Sequence, residues 1–258
     1  HTDHLRHPDM DEALARACQA EQAIAMMPRH WGKYSSKLRA NLGIYDRLFD
    51  SGITKKDKIR RWLDFAAWLN HEEIVPETLK LPETRLPSPT QEPAPLVVIH
   101  PYSAVRQKQF PPSLYQSIIK CIPEHYNIVI SGTISDRSHN SEFEILGELP
   151  NVRFEGTNFY NLARRLRAAN LVVSVDTACM HLAVAVGAPT LCLASAAYVG
   201  EIVPYDSALT PPNVQFVYKN MDCEGCLGNC HFPPENGMYP CVAQLFETTV
   251  LSRVREML

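Results

Sequence analysis

The chain has 258 residues, of which 45% are hydrophobic and 21% are charged, and 25 basic against 28 acidic side chains give a net charge of −3. This is the composition of a globular protein long enough for about two domains. The near-neutral charge excludes a strong global attraction to nucleic acid, and the sequence lacks the run of about 20 apolar residues that spans a bilayer. Because no secretory signal opens the sequence, we expect a reducing, cytoplasmic compartment.

Residues 1–75 are predicted to form a helical segment. Apolar residues recur at near-helical spacing between Met10 and Met27, and a second helix is expected to begin with Thr54 as its N-cap and to continue through Leu69. Six prolines alternate with polar residues between positions 76 and 95. This pattern predicts an extended tether and therefore a domain boundary.

From residue 96 to the end, short runs rich in Val, Ile and Leu alternate with amphipathic stretches. Strands are predicted at 96–100, 127–131, 152–154, 171–175, 189–193 and 214–218, and helices at 112–121, 141–149, 160–169, 177–186 and 243–258. Such alternation is typical of a parallel sheet covered by helices on both faces. The predicted fold class is α/β, with a Rossmann-like parallel sheet preceded by a helical segment.

Two polar stretches follow predicted strands and should meet at one edge of the sheet. Asp176 and Thr177 precede an apolar helix that holds His181, and the free N–H groups at such a helix start favour an anionic ligand. Ser103 and Lys108 follow the first strand and offer a hydroxyl and a cation to a phosphate. Structural alternatives remain open: Asp176 as the helix N-cap, His181 as a core side chain, and the second stretch as a solvated loop.

Four of the eight cysteines lie within 19 residues, at Cys223, Cys226, Cys230 and Cys241. The Cys-x2-Cys spacing brings two thiolates to one tight turn, and two more complete a tetrahedral site for zinc or iron. His231, beside Cys230, is a substitute ligand, and disulfides or free thiols are the alternatives. Four protein ligands would close the coordination shell, so the predicted metal is structural rather than catalytic.

The polar stretches resemble the carboxy-terminal half of the glycosyltransferase family 9 heptosyltransferases. The second signature of that family is roughly Asp-[Ser/Thr]-Gly-x-x-His-[Leu/Val]-Ala-x-Ala-x-Gly-x-Pro, and residues 176–189 follow it with Ala178 in place of the first glycine. The methyl group of Ala178 would crowd a pyrophosphate that approaches the backbone closely. The resemblance extends over about residues 96–258.

The resemblance implies a GT-B architecture and a metal-independent glycosyltransferase. Its donor would be a nucleotide-diphosphate sugar similar to ADP-heptose, and its acceptor a glycan or a protein. The resemblance further implies that Ser103, Lys108 and Thr177 hold the diphosphate, and that Asp176 and His181 position the donor sugar or order the phosphate loop. No general base is assigned, because residues 1–90 have too few predicted strands to form the acceptor domain of the family.

The predicted domains are a helical segment at 1–75, a Pro-rich tether at 76–95 and a nucleotide-sugar-binding domain at 96–258 that includes a Cys-rich loop at 222–241. The alternative function is a non-catalytic module that binds a nucleotide sugar or a partner protein, with the helical segment and the Cys-rich loop as its contact surfaces. Nucleotide titration combined with a donor-hydrolysis assay would separate the two hypotheses.

Overall fold

The amino-terminal segment contains short helices and a small parallel sheet in the computed structural model, which describes residues 1–29, 34–52, 55–74, 76 and 78–258. Its elements are α1 (Asp11–Ala17), β1 (Ile24–Met26), α2 (Ser35–Ala40), β2 (Arg47–Phe49) and α3 (Lys58–Asn70). The strands β1 and β2 pair only with each other within the described residues.

The first helix is shorter than the sequence predicts. It ends at Ala17, and Gln19 then adopts a left-handed conformation with a φ of 45°. Residues 24–26 turn away from the helical path and pair with β2 instead. Helix α3 starts at Lys58, because the carboxylate of Asp57 accepts the backbone N–H groups of the first turn. The predicted N-cap, Thr54, lies outside the described residues.

A six-stranded parallel sheet forms the second part of the chain. Its strands are β3 (Leu96–His100), β4 (Asn127–Ser131), β5 (Val152–Glu155), β6 (Leu171–Val175), β7 (Thr190–Leu193) and β8 (Val214–Val217). Their order is β5-β4-β3-β6-β7-β8, which confirms the predicted Rossmann-like α/β sheet. The order reverses between β3 and β6, so the loops after these strands leave a crevice between them at the carboxyl edge.

Helices cover both faces of this sheet. They are α4 (Pro112–Cys121), α5 (Ile134–His139), α6 (Phe159–Ala168), α7 (Ala178–Ala185), α8 (Pro240–Ala243) and α9 (Glu247–Met257). Val97 and Ile99 pack into the same cluster as residues of α4 and α9, whereas Val98 packs with residues of α6 and α7. Every residue of β6 is buried, which explains why four of its five residues are apolar, and the hydroxyl of the fifth, Ser174, donates to the carbonyl of Val175. No helix in the described ranges is long and apolar enough to cross a membrane.

Buried charges tie the amino-terminal segment to the sheet. Glu201 is 1% exposed, and its carboxylate lies 2.9 Å from Nε2 of His4 and pairs with the guanidinium of Arg29. Asp57, besides capping α3, accepts the backbone N–H of Asp206 at 2.8 Å. A buried carboxylate is costly unless it is paired, so these contacts fix where the segment docks.

Candidate functional site

A cavity of about 620 Å³ opens at the carboxyl edge of the sheet, where the strand order reverses. The loops after β3, β4, β5 and β6 all contribute to its wall. Ligands of open parallel α/β sheets bind in this position, because the loops on either side diverge there. The fold therefore places the candidate site where the sequence expects one.

A buried lysine and a buried aspartate form one wall of this cavity. The side chain of Lys108 is 8% exposed, and its Nζ donates to the backbone carbonyl of Asp176 at 2.8 Å. The same Nζ lies 2.9 Å from Oδ1 of Asp176 as an ion pair. That contact is not an aligned hydrogen bond, and neither carboxylate oxygen has a hydrogen-bond partner among the described residues.

The environment of Asp176 favours its neutral form. Burial raises the pKa of Asp176 to about 6, and the Lys108 ammonium opposes this rise only in part. Buried polar atoms are usually hydrogen-bonded. Both carboxylate oxygens of Asp176 are closed to solvent, and the ammonium of Lys108 is the charged group that lies against Oδ1.

The start of α7 faces the same cavity with free backbone N–H groups. Thr177 is the N-cap residue, and no side chain caps the helix. Asp176 therefore does not play the capping role that the sequence leaves open. The N–H of His181 bonds to the carbonyl of Thr177, so the N–H groups of residues 178–180 precede the first intrahelical bond. These groups carry the partial positive charge of a helix start.

His181 lines a second cavity of about 490 Å³ on the other side of the α7 start. Ala178 lines both cavities, so its side chain lies between them. Nδ1 of His181 lies 2.5 Å from the hydroxyl of Tyr205. Burial, helped by the charges of Lys108 and Lys58, lowers the pKa of His181 to about 4, so the imidazole is neutral near pH 7. Helix α3 contributes part of the wall of this second cavity.

Four of the five predicted ligand-binding residues come together in the first cavity. Ser103, Lys108, Asp176 and Thr177 line it, whereas His181 does not. The sequence analysis missed the polar residues at the carboxyl end of β5 and in the loops after β4 and β5. They are Thr133, Asp136, Glu155, Thr157 and Asn158. Their signal was present, because residues directly after parallel strands share the edge at which ligands bind.

Three of the four clustered cysteines also come together. The sulfur atoms of Cys223, Cys226 and Cys230 lie within 4.8 Å of one another, a set that can hold a metal ion. Cys241 is buried at the start of α8 and is not part of this group. Three thiolates at this separation fit the soft ligand set of zinc or iron after a small contraction.

Comparisons with known proteins agree with this fold. The sequence model of glycosyltransferase family 9 (heptosyltransferase) matches residues 60–223, more than half of the chain. A glycosyl transferase family 9 structure from Veillonella parvula DSM 2008 is 14% identical, with a TM-score of 0.59 over 95% of this chain and 77% of that chain. No curated protein matches the sequence.

Two structures from E. coli are similar as well. Heptosyltransferase WaaC with ADP-2-deoxy-2-fluoro heptose is 16% identical, with a TM-score of 0.58 over 96% of this chain and 76% of that chain. TibC, a dodecameric iron-containing glycosyltransferase from strain H10407, is 10% identical, with a TM-score of 0.52 over 95% of this chain and 70% of that chain. At these identities the likeness shows a shared fold.

Proposed function

Because the chain belongs to glycosyltransferase family 9, we propose that it transfers a sugar from a nucleotide-diphosphate donor to an acceptor glycan or protein. The observation that carries this proposal is the Lys108–Asp176 pair beside the uncapped start of α7, at the point where the strand order reverses. WaaC was solved with an ADP-linked heptose analogue, so an ADP-heptose is the first donor to test here.

In this proposal the diphosphate lies between Lys108 and the first turn of α7. As the bond to the sugar breaks, negative charge grows on the diphosphate oxygens, and the ammonium and the N–H groups of residues 178–180 stabilise it. The hydroxyl of Ser103 supplies a further donor from the opposite loop. Because these groups are fixed in advance, the proposed chemistry works by positioning and electrostatics and has no metal step.

Asp176 and His181 take different parts in this arrangement. The buried carboxylate of Asp176 pairs with the ammonium of Lys108 and so orders the phosphate-binding loop. His181 faces the second cavity, which we assign to the transferred sugar and the incoming acceptor, because this cavity adjoins the first at Ala178. The exposed indole of Trp62 on α3 offers a ring face to a sugar there.

Calorimetric titration with ADP, UDP and GDP tests the proposed donor site. Lys108→Ala should weaken binding of the preferred diphosphate by about 1–3 kcal/mol, the range for losing a charge-assisted hydrogen bond. Lys120→Ala is the matched control, because this exposed lysine lies on α4 and does not line the cavity. Equal affinities for wild type and Lys108→Ala would remove the phosphate role of Lys108.

The alternative function is a non-catalytic module that binds a nucleotide sugar, and a donor-hydrolysis assay distinguishes it from an enzyme. An enzyme of this class should hydrolyse its donor slowly in the absence of acceptor and release the nucleoside diphosphate. A module should bind the donor and leave it intact over the same time. Lys108→Ala should abolish hydrolysis in the first case, and it has no hydrolysis to change in the second.

We also propose a structural metal, zinc or iron, held by Cys223, Cys226 and Cys230 in a reducing compartment. Cys241 remains the predicted fourth ligand, and TibC is a relative described as iron-containing. Such a metal would constrain a loop that has few apolar residues to bury. Elemental analysis of protein purified without chelator tests the proposal, and less than about 0.2 equivalents of metal would leave disulfides or free thiols as the better account.

A further inference from the structure

We propose that Tyr198 is a positioning residue for Lys108 and that the Cys-rich loop, residues 222–241, sets the position of both. The state of the cysteine cluster would then control how tightly the cavity binds a nucleotide diphosphate. This inference rests on the proposed function, because it assigns Lys108 to the phosphate.

The first step is the contact between Tyr198 and the lysine. Nζ of Lys108 lies 4.3 Å from the centroid of the Tyr198 ring, in addition to its contacts with Asp176. A lysine side chain has a flexible four-carbon stem, which does not by itself fix the position of the ammonium group. An aromatic face attracts the ammonium and restricts where it can lie. The ring and Asp176 together therefore define the position from which Lys108 meets a ligand.

The second step is the backbone that carries Tyr198. It is the last residue of a short 3-10 turn at Ala196–Tyr198. Two residues of the Cys-rich loop donate to this turn, because the N–H of Gly225 bonds to the carbonyl of Ala196 at 3.0 Å and the N–H of Leu227 bonds to that of Ala197 at 2.8 Å. Both donors lie between the clustered cysteines, so the shape of the cluster is transmitted to the turn.

The third step is an independent contact on the other side of Lys108. The backbone N–H of Tyr239, also in the Cys-rich loop, bonds to the carbonyl of Gln107 at 3.0 Å. The two tyrosines meet at Gly228, where an added Cβ would lie 2.6 Å from the hydroxyl of Tyr239 and 3.8 Å from that of Tyr198. The Cys-rich loop thus contacts both the turn that carries Tyr198 and Gln107, the residue directly before Lys108.

The cysteine cluster restricts the conformation of the Cys-rich loop. Cys223, Cys226 and Cys230 gather their sulfur atoms within 4.8 Å, and a metal on them would fix the intervening residues. If metal and nucleotide bind to one coupled unit, each must change the affinity of the other by the same factor. ADP should therefore tighten the binding of Zn²⁺ to the cluster.

A double-mutant cycle tests the role of Tyr198. ADP is titrated calorimetrically into wild type, Tyr198→Leu, Tyr198→Phe, Lys108→Met and the Lys108→Met/Tyr198→Leu double variant. Loss of the ring should weaken ADP binding by about threefold to tenfold, and Phe should restore it, because Phe keeps the aromatic face. Combined with Lys108→Met, the Leu change should have no further effect. A loss that persists without Lys108, or no loss in Tyr198→Leu, would overturn the positioning role.

Two glycines in the Cys-rich loop provide a matched pair for the coupling. Gly228 and Gly237 have φ values of +80° and +78°, so alanine strains the backbone equally at both, but a Cβ at Gly237 meets nothing within 4 Å. Hydrogen exchange of residues 105–109 should accelerate, and ADP binding should weaken, in Gly228→Ala but not in Gly237→Ala. Removing bound metal with a chelator should reproduce the Gly228→Ala result, and Zn²⁺ should reverse it.

The outcomes separate this inference from the proposed function. If wild type binds no nucleoside diphosphate, the proposed function fails, and the exchange of residues 105–109 alone decides whether the loop holds Lys108. If ADP binds, and neither the loop glycines nor the chelator change its affinity or the exchange, the inference fails while the proposed function stands. The reciprocal measurement, Zn²⁺ affinity with and without ADP, must show the same factor or the coupling is refuted.

Discussion

The buried carboxyl of Asp176 should give the stability of the protein a distinctive pH dependence. Burial raises the pKa of Asp176 from its ordinary value of 3.8 to about 6, despite the ammonium of Lys108 at 2.9 Å. The folded protein therefore holds this proton to a higher pH than the unfolded chain does. The stability that the protonated group contributes is complete below about pH 4 and is lost as the pH rises through about 6.

The size of the effect follows from the two pKa values. A difference of 6 against 3.8 corresponds to about 3 kcal/mol, at about 1.4 kcal/mol for each tenfold change in proton affinity. Asp176→Asn removes this titration, so the substitution itself changes the free energy of unfolding by an amount that does not depend on pH. The free energy of unfolding of wild type minus that of the variant should fall by about 3 kcal/mol between pH 4 and pH 8.

Urea denaturation at a series of pH values measures this difference. Other titrating groups are present in both proteins and cancel from it. Asp222→Asn, which removes an exposed carboxyl in the same part of the chain, is the control for a general effect of charge. A difference that stays flat would mean that Asp176 is solvated. A difference that grows with pH would mean that the ion pair with Lys108 outweighs the cost of burial.

Two further predictions concern other buried ionisable groups. Arg6→Met should lower the free energy of unfolding by about 3–5 kcal/mol, because Arg6 and Glu12 are fully buried at 2.8 Å and the carboxylate loses its partner; a loss below about 1 kcal/mol in urea denaturation would contradict this. The free energy of unfolding of wild type minus that of His181→Asn should rise from pH 4 to pH 6.5, which is the opposite direction to Asp176. Burial lowers the pKa of His181 to about 4, so the stability that its neutral imidazole contributes is complete above about pH 6.5 and is lost as the pH falls through about 4. The same denaturation series measures it, and a flat difference would show that His181 is exposed.

The sheet could be predicted because its strands are covered on both faces. All five residues of β6 are buried and four of them are apolar, so this strand can be predicted without knowledge of its partners. The strands β1 and β2 have three residues each, and in the part of the chain that the structure describes each pairs only with the other. Their pairing joins residues more than 20 positions apart, a tertiary contact that overrides the helical spacing of the apolar residues there.

The same distinction applies to the candidate site. The sequence could predict that Lys108, Asp176 and Thr177 share one site, because each follows a parallel strand and the ends of these strands lie at the same edge of the sheet. His181 could not be assigned to the second cavity in this way, since part of that wall comes from α3, which docks through contacts distant in sequence. Cys241 lies within 19 residues of the other three clustered cysteines in the sequence, but its position on α8 leaves it outside the group of three sulfur atoms.

The buried pairing of Glu201 with His4 and Arg29 imposes an order on how the chain can assemble. Residues 1–29 emerge from the ribosome about 170 positions before Glu201, the carboxylate with which His4 and Arg29 pair, which at about 5–20 residues per second is a delay of roughly 10–35 seconds. During that interval the amino-terminal residues cannot reach their final environment. Residues 1–29 can therefore dock only after the chain has been synthesised beyond β7.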